Sequence, residues 1–429
     1  MKNSIYNIFV PYKDKFILYN SASGNLILTD KSEIFPHNLS NIEIERLSSM
    51  GFLTDNANDE LNTLIKNAER HINSSKKNKF RILTTTACNA RCPYCYEKGT
   101  EICSMDLFTA EKVTNFILDI SQNKKIVEIE WFGGEPLLNT EAINHITELF
   151  LSRKKETLSL ESSIITNGYL INDNIIQLMK EKWNTIRVQI TLDGLSTEYE
   201  NIKGLGKNSF NRVIKNIAKL CDAGISVDIR LNFNIDNIQH IESVIKFLSE
   251  CDFHDKIYVY VAKINEEQKT NKFLLEKETI YLFDKLHEYG FLSPKDMLPK
   301  TLKSPCAACR ADYYTIHPSG RLYKCDRKLL SGNAVGHVDN YNLKALIKTT
   351  KSWLGVRMES RCKVCSLLPL CWNGCIYDRL NNLDRCYLTS NIVGQRLKLF
   401  VDEVIERNSN NGRKTERSHK NNKCMQPSM

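Results

Sequence analysis

The sequence predicts a protein of the α/β class, built around a partial barrel of six strand-and-helix units. Six short apolar runs recur between residues 79 and 290, and each is followed by a stretch with apolar residues at helical spacing. A chain of 429 residues, 42% of them hydrophobic, is long enough for two or three domains. A small strand-rich region precedes the repeats, and a cysteine-rich region follows them.

The six predicted barrel strands lie in the segments FRILTTT, IVEIEWF, LESSIIT, TIRVQITL, ISVDIRLNF and KIYVYVA. Amphipathic stretches such as FTAEKVTNFILDI and NRVIKNIAKLCDAG separate them. Strands that alternate with helices form parallel sheets. Six units suit an incomplete, TIM-like barrel better than a closed barrel of eight, and such barrels place their ligands at the carboxyl ends of the strands.

The regions on either side of the barrel differ from it in pattern. Residues 1–74 form a predicted α+β domain, with strands in IYNIFV, KFILYN and GNLILTD and helices in IEIERLSSMG and DELNTLIKNAER. The polar string NSSKKNK predicts a linker. Residues 305–387 lack periodicity and hold eight cysteines, which indicates a domain where metal sites replace a large core. We expect an amphipathic helix at 388–406 and a disordered basic tail at 407–429.

The formal net charge of +9 is concentrated at the C-terminus. Between Arg407 and Met429, six Lys or Arg residues stand against Glu416 alone, a net +5. We therefore predict no nucleic-acid partner. The sequence has no apolar run of about 18 residues, so we predict no membrane partner and a cytoplasmic location.

The fifteen cysteines fall mainly in tight groups, the pattern of metal sites in a reducing compartment. The first group follows the first predicted barrel strand, where Cys88, Cys92 and Cys95 have the spacing CxxxCxxC. Three thiolates can hold three irons of a [4Fe-4S] cube and leave the fourth iron open. The alternative is a zinc site, which requires a fourth ligand, and Cys103 lacks the usual close spacing.

This spacing resembles that of the radical S-adenosylmethionine superfamily, and further motifs across residues 79–290 resemble it too. The second strand ends in WFGGEP, the third in TNG and the fourth in QITLDG. The resemblance implies that S-adenosylmethionine binds the open iron exchangeably and yields a 5'-deoxyadenosyl radical after reduction. It also implies cofactor contacts from residues in the cysteine loop and at the strand ends: Tyr94, Gly133, Gly134, Glu135, Thr166, Asn167 and Arg230.

Strand alternation places two sets of polar residues on single faces of the fourth and fifth strands, which we expect inside the barrel. The sets are Gln189, Thr191 and Asp193, and Arg230, Asn232 and Asn234. The alternative for each residue is a solvated polar face. We expect apolar strand ends to enclose the radical. Asp193 is a candidate for proton transfer.

The downstream cysteines resemble the SPASM extension, which carries two auxiliary iron–sulfur clusters in enzymes that modify peptides and proteins. Residue-wise analogy gives the first [4Fe-4S] cluster Cys306, Cys309, Cys325 and Cys375, and the second Cys362, Cys365, Cys371 and Cys386. Cys306 stands closer to Cys309 than is usual in the family, and without it the first cluster has an open iron. Zinc is again the alternative. The other cysteines, Cys103, Cys221, Cys251 and Cys424, are expected to be incidental thiols.

The resemblance implies oxidation of a ribosomally made precursor peptide, with electrons from a flavodoxin or ferredoxin. The N-terminal layout resembles the small winged-helix-like domain with which peptide maturases add a leader peptide to a sheet edge. A structural cap on the barrel is the alternative for this domain.

Two other functions remain as alternatives. An anaerobic sulfatase-maturating enzyme, which forms formylglycine, is favoured by Asp326, because that family has its general base directly after the matching cysteine. Against it, those enzymes begin near their radical triplet and lack an N-terminal domain. The other alternative is a noncatalytic iron–sulfur electron carrier or scaffold.

Overall fold

The computed structural model describes residues 1–34, 36–55, 57–264, 275–331, 333–356, 358–383 and 386–421. Cys424 and the rest of the predicted tail beyond Asn421 lie outside these residues.

The N-terminal region contains two small antiparallel sheets and two helices. Its elements are β1 (Lys2–Asn3), β2 (Asn7–Tyr12), β3 (Lys15–Asn20), β4 (Leu26–Thr29), α1 (Asn41–Ser49), β5 (Leu53–Thr54) and α2 (Ala57–Ser74). The larger sheet has the order β2-β3-β4, and β1 pairs with β5. Ser40 and Glu43 form a capping box that fixes the start of α1.

Six parallel strands form the partial barrel, with helices between them. The elements are β6 (Lys77–Thr85), α3 (Leu107–Ile120), β7 (Ile126–Gly133), α4 (Thr140–Arg153), β8 (Ser159–Thr166), α5 (Asp173–Glu181), β9 (Thr185–Thr191), α6 (Ser196–Lys203), α7 (Ser209–Asp222), β10 (Ser226–Phe233), α8 (Ile238–Ser249), β11 (Ile257–Lys263) and α9 (Glu276–Glu288). Alternate apolar residues of the strands, such as Phe80, Ile129 and Ile229, are buried in one core with apolar residues of the helices.

The C-terminal region consists of short elements and one long helix. They are α10 (Pro294–Met297), β12 (Tyr314–Ile316), β13 (Arg321–Tyr323), β14 (Gly336–His337), α11 (Leu343–Thr349), α12 (Ser360–Lys363), α13 (Leu368–Cys371), α14 (Ile376–Leu380) and α15 (Ser390–Asn421). The barrel sheet continues into this region, since β12 pairs in parallel with β6 and the full order is β11-β10-β9-β8-β7-β6-β12-β13-β14. The cysteine-rich segment is therefore joined to the first barrel strand by main-chain pairing.

The N-terminal sheet packs against the C-terminal region. Val10 and Tyr19 share an apolar cluster with Leu370 and with Val393 and Leu397 of α15. Polar contacts hold the same interface, because Tyr19 donates to the carbonyl of Pro299 at 2.7 Å and Tyr12 donates to Asp402 at 2.6 Å. This domain is thus anchored beside the cysteine-rich segment.

The structure confirms the predicted α/β class and the partial barrel. The predicted linker NSSKKNK differs, because α2 ends at Ser74 and β6 already begins at Lys77. Ion pairs explain the ordered strand: Lys77 lies 2.6 Å from Glu161, and Lys79 lies 3.1 Å from Glu128. The last helix also continues to Asn421, past the boundary predicted at 406. No helix among the described residues is long and apolar enough to cross a membrane.

Candidate active site

A cavity of about 370 Å³ lies at the carboxyl ends of the barrel strands. It brings together predicted site residues from three barrel strands and the turns that follow them, the cysteine loop and the C-terminal region. These are Cys88, Cys92, Tyr94, Cys95, Gly133, Gly134, Thr166, Asn167, Arg230 and Asp326. The wall also contains the polar residues Gln189, Thr191 and Asn232, together with apolar residues such as Phe132 and Ile165.

The two glycines of the GGEP motif allow the end of β7 to lie directly against the chain that enters the cysteine loop. A Cβ on Gly133, whose φ is +121°, would lie 2.1 Å from the carbonyl oxygen of Thr85. A Cβ on Gly134 would lie 2.3 Å from the carbonyl oxygen of Ala87. Backbone contact at this distance requires glycine. The motif therefore positions the residues just before Cys88.

Glu135 is fully buried, and its carboxylate organises the end of β8. It accepts hydrogen bonds from the Thr166 hydroxyl at 2.7 Å and from the backbone N–H groups of Asn167, at 2.9 Å, and Leu137, at 3.1 Å. Burial raises the pKa of Glu135, and these hydrogen bonds oppose the rise. Glu135 thus holds the GGEP and TNG motifs together.

The three cysteines of the CxxxCxxC motif line the cavity on a loop after β6. The N–H of Ala90 donates to the sulfur of Cys88 at 3.3 Å, and backbone N–H groups of Glu97 and Lys98 donate to Cys95. Burial raises the pKa of the Cys88 thiol to about 11. Hydrogen bonds to sulfur stabilise the thiolate that binds iron. The donor set therefore fits a cluster held by three cysteines.

Asp193 lies outside the cavity wall, unlike Gln189 and Thr191. Strand β9 ends at Thr191, so the alternation that predicted a shared face no longer applies at Asp193. The carboxylate instead pairs with Lys203 at 2.7 Å and accepts a hydrogen bond from the Tyr94 hydroxyl. Burial lowers the pKa of Lys203, but the charge of Asp193 together with Tyr94, Cys92 and Tyr199 raises it above its ordinary value.

In the fifth barrel strand, β10, the predicted polar face likewise ends where the strand ends. Arg230 and Asn232 line the cavity, and Arg230 donates to the Asn232 side chain at 2.8 Å. Strand β10 ends at Phe233, so Asn234 lies in the following turn, where its side chain accepts from the N–H of Asp236. The arginine and one of the two asparagines thus face the site.

Asp326 lies between the cysteine loop and the first barrel strand. Arg81 of β6 contacts its carboxylate at 2.9 Å, and the Tyr96 hydroxyl donates to it at 2.7 Å. Burial raises the pKa of Asp326, but Arg81 and these hydrogen bonds hold it below its ordinary value. Beside it, burial and the Asp326 charge raise the pKa of Glu97 to about 7. The sequence offered no signal for Arg81, because β12 pairing creates this contact.

The four cysteines predicted to hold the first auxiliary cluster, Cys306, Cys309, Cys325 and Cys375, lie near the short helical turn Ala307–Cys309. Burial and the nearby thiol of Cys375 raise the pKa of Cys306, and burial raises that of Cys325, with Cys375 and Cys306 contributing. Cys309 is buried at the end of the same short helical turn as Cys306. These four residues belong to one neighbourhood.

The second predicted set lies beside the N-terminal domain. Burial and neighbouring thiols raise the pKa values of Cys362 and Cys371, with Cys365 acting on both. Backbone N–H groups from residues 373 and 374 donate to Cys371, within a run of three positive φ values at residues 372–374. Such runs form concave sites that suit iron–sulfur clusters. Cys386 lies half-buried shortly before α15.

Among the described residues, no three or more Cys, His, Asp or Glu side chains form a group that could hold a single metal ion. What the loop offers is a set of thiols, each able to hold one iron of a larger cluster.

Comparison with known proteins agrees with this site. The family model of the radical SAM superfamily matches residues 82–248. A relative from Methanocaldococcus jannaschii, named as a candidate glycyl-radical enzyme activating enzyme, is 30% identical over 204 residues, or 46% of this chain and 74% of the relative. The chain belongs to the radical SAM superfamily. It is therefore an enzyme of the kind that uses a [4Fe-4S] cluster and S-adenosylmethionine, and the noncatalytic alternative is not retained.

A cysteine-type anaerobic sulfatase-maturating enzyme from Clostridium novyi is 23% identical over 351 residues, 75% of this chain and 93% of the relative. Two solved structures share the fold. One is anSMEcpe with bound AdoMet, at a TM-score of 0.59 and 19% identity, covering 78% of this chain and 98% of that one. The other is Streptococcus suis SuiB bound to precursor peptide SuiA, at a TM-score of 0.52 and 18% identity. That match covers 90% of this chain and 97% of SuiB.

A [4Fe-4S] cluster bound here would supply, when reduced, the electron for cleavage of S-adenosylmethionine. The residues of this chain that fit the cofactors are the three thiols, the GGEP backbone and the polar groups at the ends of β8 and β10.

Proposed function

We propose that this radical SAM enzyme is a peptide maturase that oxidatively modifies or crosslinks a ribosomally made precursor peptide. The observation that carries the proposal is the free edge of strand β4 in the N-terminal sheet. Among the described residues, β4 pairs only with β3. An unpaired edge can bind an extended peptide as an additional strand.

The register of the β3–β4 hairpin identifies which groups face that edge. The N–H of Asn20 donates to Asn25, and the hydrogen-bonded pairs of an antiparallel ladder recur at every second position. Ile27 and Thr29 therefore pair with β3, whereas the N–H and C=O of Leu28 face outward. The Leu28 side chain is also 41% exposed. A peptide strand would find both backbone partners and an apolar contact here.

The anchoring of the N-terminal domain favours a role in peptide binding over a role as a structural cap on the barrel. Its sheet packs on α15, and the Ser21 hydroxyl donates to the carbonyl of Ser366, between Cys365 and Leu367. Tyr6 packs against Cys362 and Leu368. A peptide bound at β4 would thus be held by a domain fixed to the cysteine-rich segment. Streptococcus suis SuiB, solved with a precursor peptide, has the same overall fold.

In this proposal the eight downstream cysteines hold two auxiliary [4Fe-4S] clusters. The peptide would give one hydrogen atom to the 5'-deoxyadenosyl radical and one electron to these clusters, which would pass it to an oxidised flavodoxin or ferredoxin. The reduced form of that protein would be the donor of the electron for cofactor cleavage. Asp326 is the proposed proton acceptor, because it is ionised and lines the cavity. Asp193 is assigned a positioning role, because Lys203 and Tyr94 occupy its carboxylate.

The proposed cofactor contacts follow the same geometry. The GGEP backbone at Gly133 and Gly134 would bind the methionine amine together with Glu135. Thr166, Asn167 and Tyr94 would border the cofactor, and Arg230 would meet its carboxylate or ribose. Arg230 donates to Asn232 and also hydrogen-bonds Tyr260, and its five N–H groups leave further donors for a ligand.

The test replaces Leu28 with proline, which removes its outward N–H but no hydrogen bond between β3 and β4. Leu28→Pro is compared with Leu28→Ala, which keeps the N–H. The candidate substrate is a short peptide encoded by an open reading frame next to that of the enzyme. We expect Leu28→Pro to weaken peptide binding at least tenfold, whereas both variants cleave S-adenosylmethionine normally without peptide. Equal peptide binding by the two variants would contradict the proposed edge, and a product without loss of hydrogen would contradict peptide oxidation.

A sulfatase-maturating activity is the second candidate, because Asp326 directly follows Cys325 and lines the cavity. Its close ion pair with Arg81 is the main difference from a free general base. The discriminating substrate is a synthetic sulfatase peptide with one target cysteine. Formation of formylglycine, lost in Asp326→Asn, would favour this candidate over the peptide maturase.

A further inference from the structure

A buried ion pair joins Lys203, the last residue of α6, to Asp193. The ammonium lies 2.7 Å from Asp193 Oδ2, and the two side chains are only 4% and 1% exposed. The Tyr94 hydroxyl donates to the same oxygen, and Lys203 also donates to Tyr94 Oη at 3.3 Å. Asp193 Oδ1 has no hydrogen-bond partner among the described residues. Two donors, the Lys203 ammonium and the Tyr94 hydroxyl, therefore meet at one carboxylate oxygen.

This ion pair lies directly against the cysteine loop. The backbone carbonyl of Lys203 accepts a hydrogen bond from the N–H of Arg91 at 2.7 Å. The next residue, Gly204, has a φ of +64°, and a Cβ there would lie 3.2 Å from the Cβ of Arg91. The end of α6 thus holds the loop by its backbone at residue 91 and by a side chain at Tyr94, on either side of Cys92.

The same lysine borders the segment that follows β8. Its ammonium lies 5.9 Å from the ring centroids of both Tyr94 and Tyr199. The Tyr199 hydroxyl donates to the carbonyl of Asn167 at 3.4 Å. Lys203 also lines the cavity itself. One side chain therefore connects the loop that carries the thiols with the strand end opposite it.

Burying two charges is costly, and apolar residues of similar size often serve stability as well or better. A buried pair is better explained by the arrangement it specifies. We propose that Lys203 is a positioning residue for the radical SAM reaction: paired with Asp193, it fixes Tyr94 and the loop of residues 88–95 in the arrangement that binds S-adenosylmethionine.

The proposal concerns cofactor binding, so its test requires no peptide substrate. The reconstituted enzyme is compared with Lys203→Arg, Lys203→Met and the double variant Asp193→Asn/Lys203→Met. The measurements are the Kd for S-adenosylmethionine, the iron content and the Tm. Lys203→Met leaves an unpaired buried carboxylate and should lower the Tm, whereas the double variant removes both charges and should recover it.

The affinity for S-adenosylmethionine should stay low in the double variant even though its stability recovers. We expect the double variant to regain the Tm and iron content of the wild type but to bind S-adenosylmethionine at least tenfold more weakly. Lys203→Arg should retain most of the affinity, because it keeps the charge. The control is the exposed pair Lys219 and Asp173, which lie 2.8 Å apart. Its neutral double variant should change neither the Tm nor the affinity for S-adenosylmethionine.

Wild-type affinity in a folded double variant would overturn the proposal and leave Lys203 a purely structural role. If the double variant does not fold, Tyr94→Phe decides the question, because it removes one hydroxyl and keeps the ion pair. It should weaken S-adenosylmethionine binding severalfold at an unchanged Tm. Unchanged affinity in Tyr94→Phe would then reject the proposal.

Discussion

The backbone N–H of Glu135 donates to the carbonyl of Ala87, at 2.9 Å, immediately before Cys88. The neighbouring N–H of Gly134 donates to Thr85 at 3.1 Å. The GGEP motif thus has a structural function beside its proposed cofactor contact: it fixes the path on which the chain enters the cysteine loop.

Gly134→Ala should disturb this path. The added Cβ would lie 2.3 Å from the Ala87 carbonyl oxygen and 2.6 Å from that of Thr86, and neither backbone atom can move without shifting the loop. We expect the free energy of unfolding to fall by about 1–3 kcal/mol, and cleavage of S-adenosylmethionine to fall at least tenfold.

Gly394→Ala is the matched control for this substitution. Gly394 lies in α15, and the added Cβ would lie 3.4 Å from Val10 Cγ1 of β2, an ordinary van der Waals contact. We expect full activity and a change in stability within about 1 kcal/mol. Chemical denaturation and the rate of 5'-deoxyadenosine formation measure both variants, and equal behaviour of the two would contradict the assigned role of Gly134.

The motifs at the strand ends were predictable because parallel strands bring their carboxyl ends to one edge. GGEP, TNG and Arg230 therefore meet the cysteine loop as the sequence predicts. The prediction for Asp193 required β9 to continue for two more residues, and the strand ends at Thr191 instead. Side chains alternate between the two faces of a sheet only within a strand, so this pattern predicts nothing for residues beyond the strand end.

Other parts of the site depend on contacts between distant segments. Lys203 lies in the last turn of α6, where a lysine is typical of an exposed helix end, and only Asp193 and the loop explain its burial. Arg81 meets Asp326 because β12 pairs in parallel with β6. No local pattern in the sequence encodes that pairing.

Thr166→Val tests the buried contact between β8 and Glu135. The substitution keeps the side-chain shape but removes the hydroxyl that donates to Glu135 at 2.7 Å. Because a buried carboxylate loses one donor, we expect stability to fall by about 1–3 kcal/mol and the KM for S-adenosylmethionine to rise.

The control for this variant is Thr114→Val in α3. The Thr114 hydroxyl is also buried, but it donates to the Ala110 carbonyl within its own helix. We expect Thr114→Val to leave the KM unchanged. A rise in KM for both variants would show a general packing effect in place of a specific contact with Glu135.

Leu397→Ala tests the anchoring of the N-terminal domain. Leu397 of α15 is fully buried where this helix packs against strands β2 and β3. Truncation should lower the free energy of unfolding by about 2–5 kcal/mol and increase hydrogen exchange in β2 and β3. Leu151→Ala, at a leucine that is 38% exposed, should stay within about 0.5 kcal/mol of the wild type. Unchanged exchange in Leu397→Ala would mean that the sheet is not anchored there.

His317 gives stability a dependence on pH. Burial, with a smaller effect of Arg321, lowers its pKa from 6.5 to about 4. Between these values the unfolded chain binds a proton that the folded chain excludes, so stability should fall as the pH falls through this window. The contribution is on the order of 2 kcal/mol. Its Nδ1 already accepts from the N–H of Ser319, as a neutral ring requires.

Urea unfolding at several pH values between about 4 and 7 measures this contribution. His317→Gln should flatten the curve relative to the wild type. His240→Gln, at an exposed histidine, should not. An identical slope in His317→Gln would assign the pH dependence to other groups.

The central claim is that Cys88, Cys92 and Cys95 hold the cluster that cleaves S-adenosylmethionine, separately from the downstream cysteines. The direct test is anaerobic reconstitution of the wild type and Cys92→Ala, with iron content and 5'-deoxyadenosine measured after reduction. We expect about twelve irons per chain and cleavage in the wild type, and about eight irons and no cleavage in Cys92→Ala. Cleavage that survives in Cys92→Ala would contradict it.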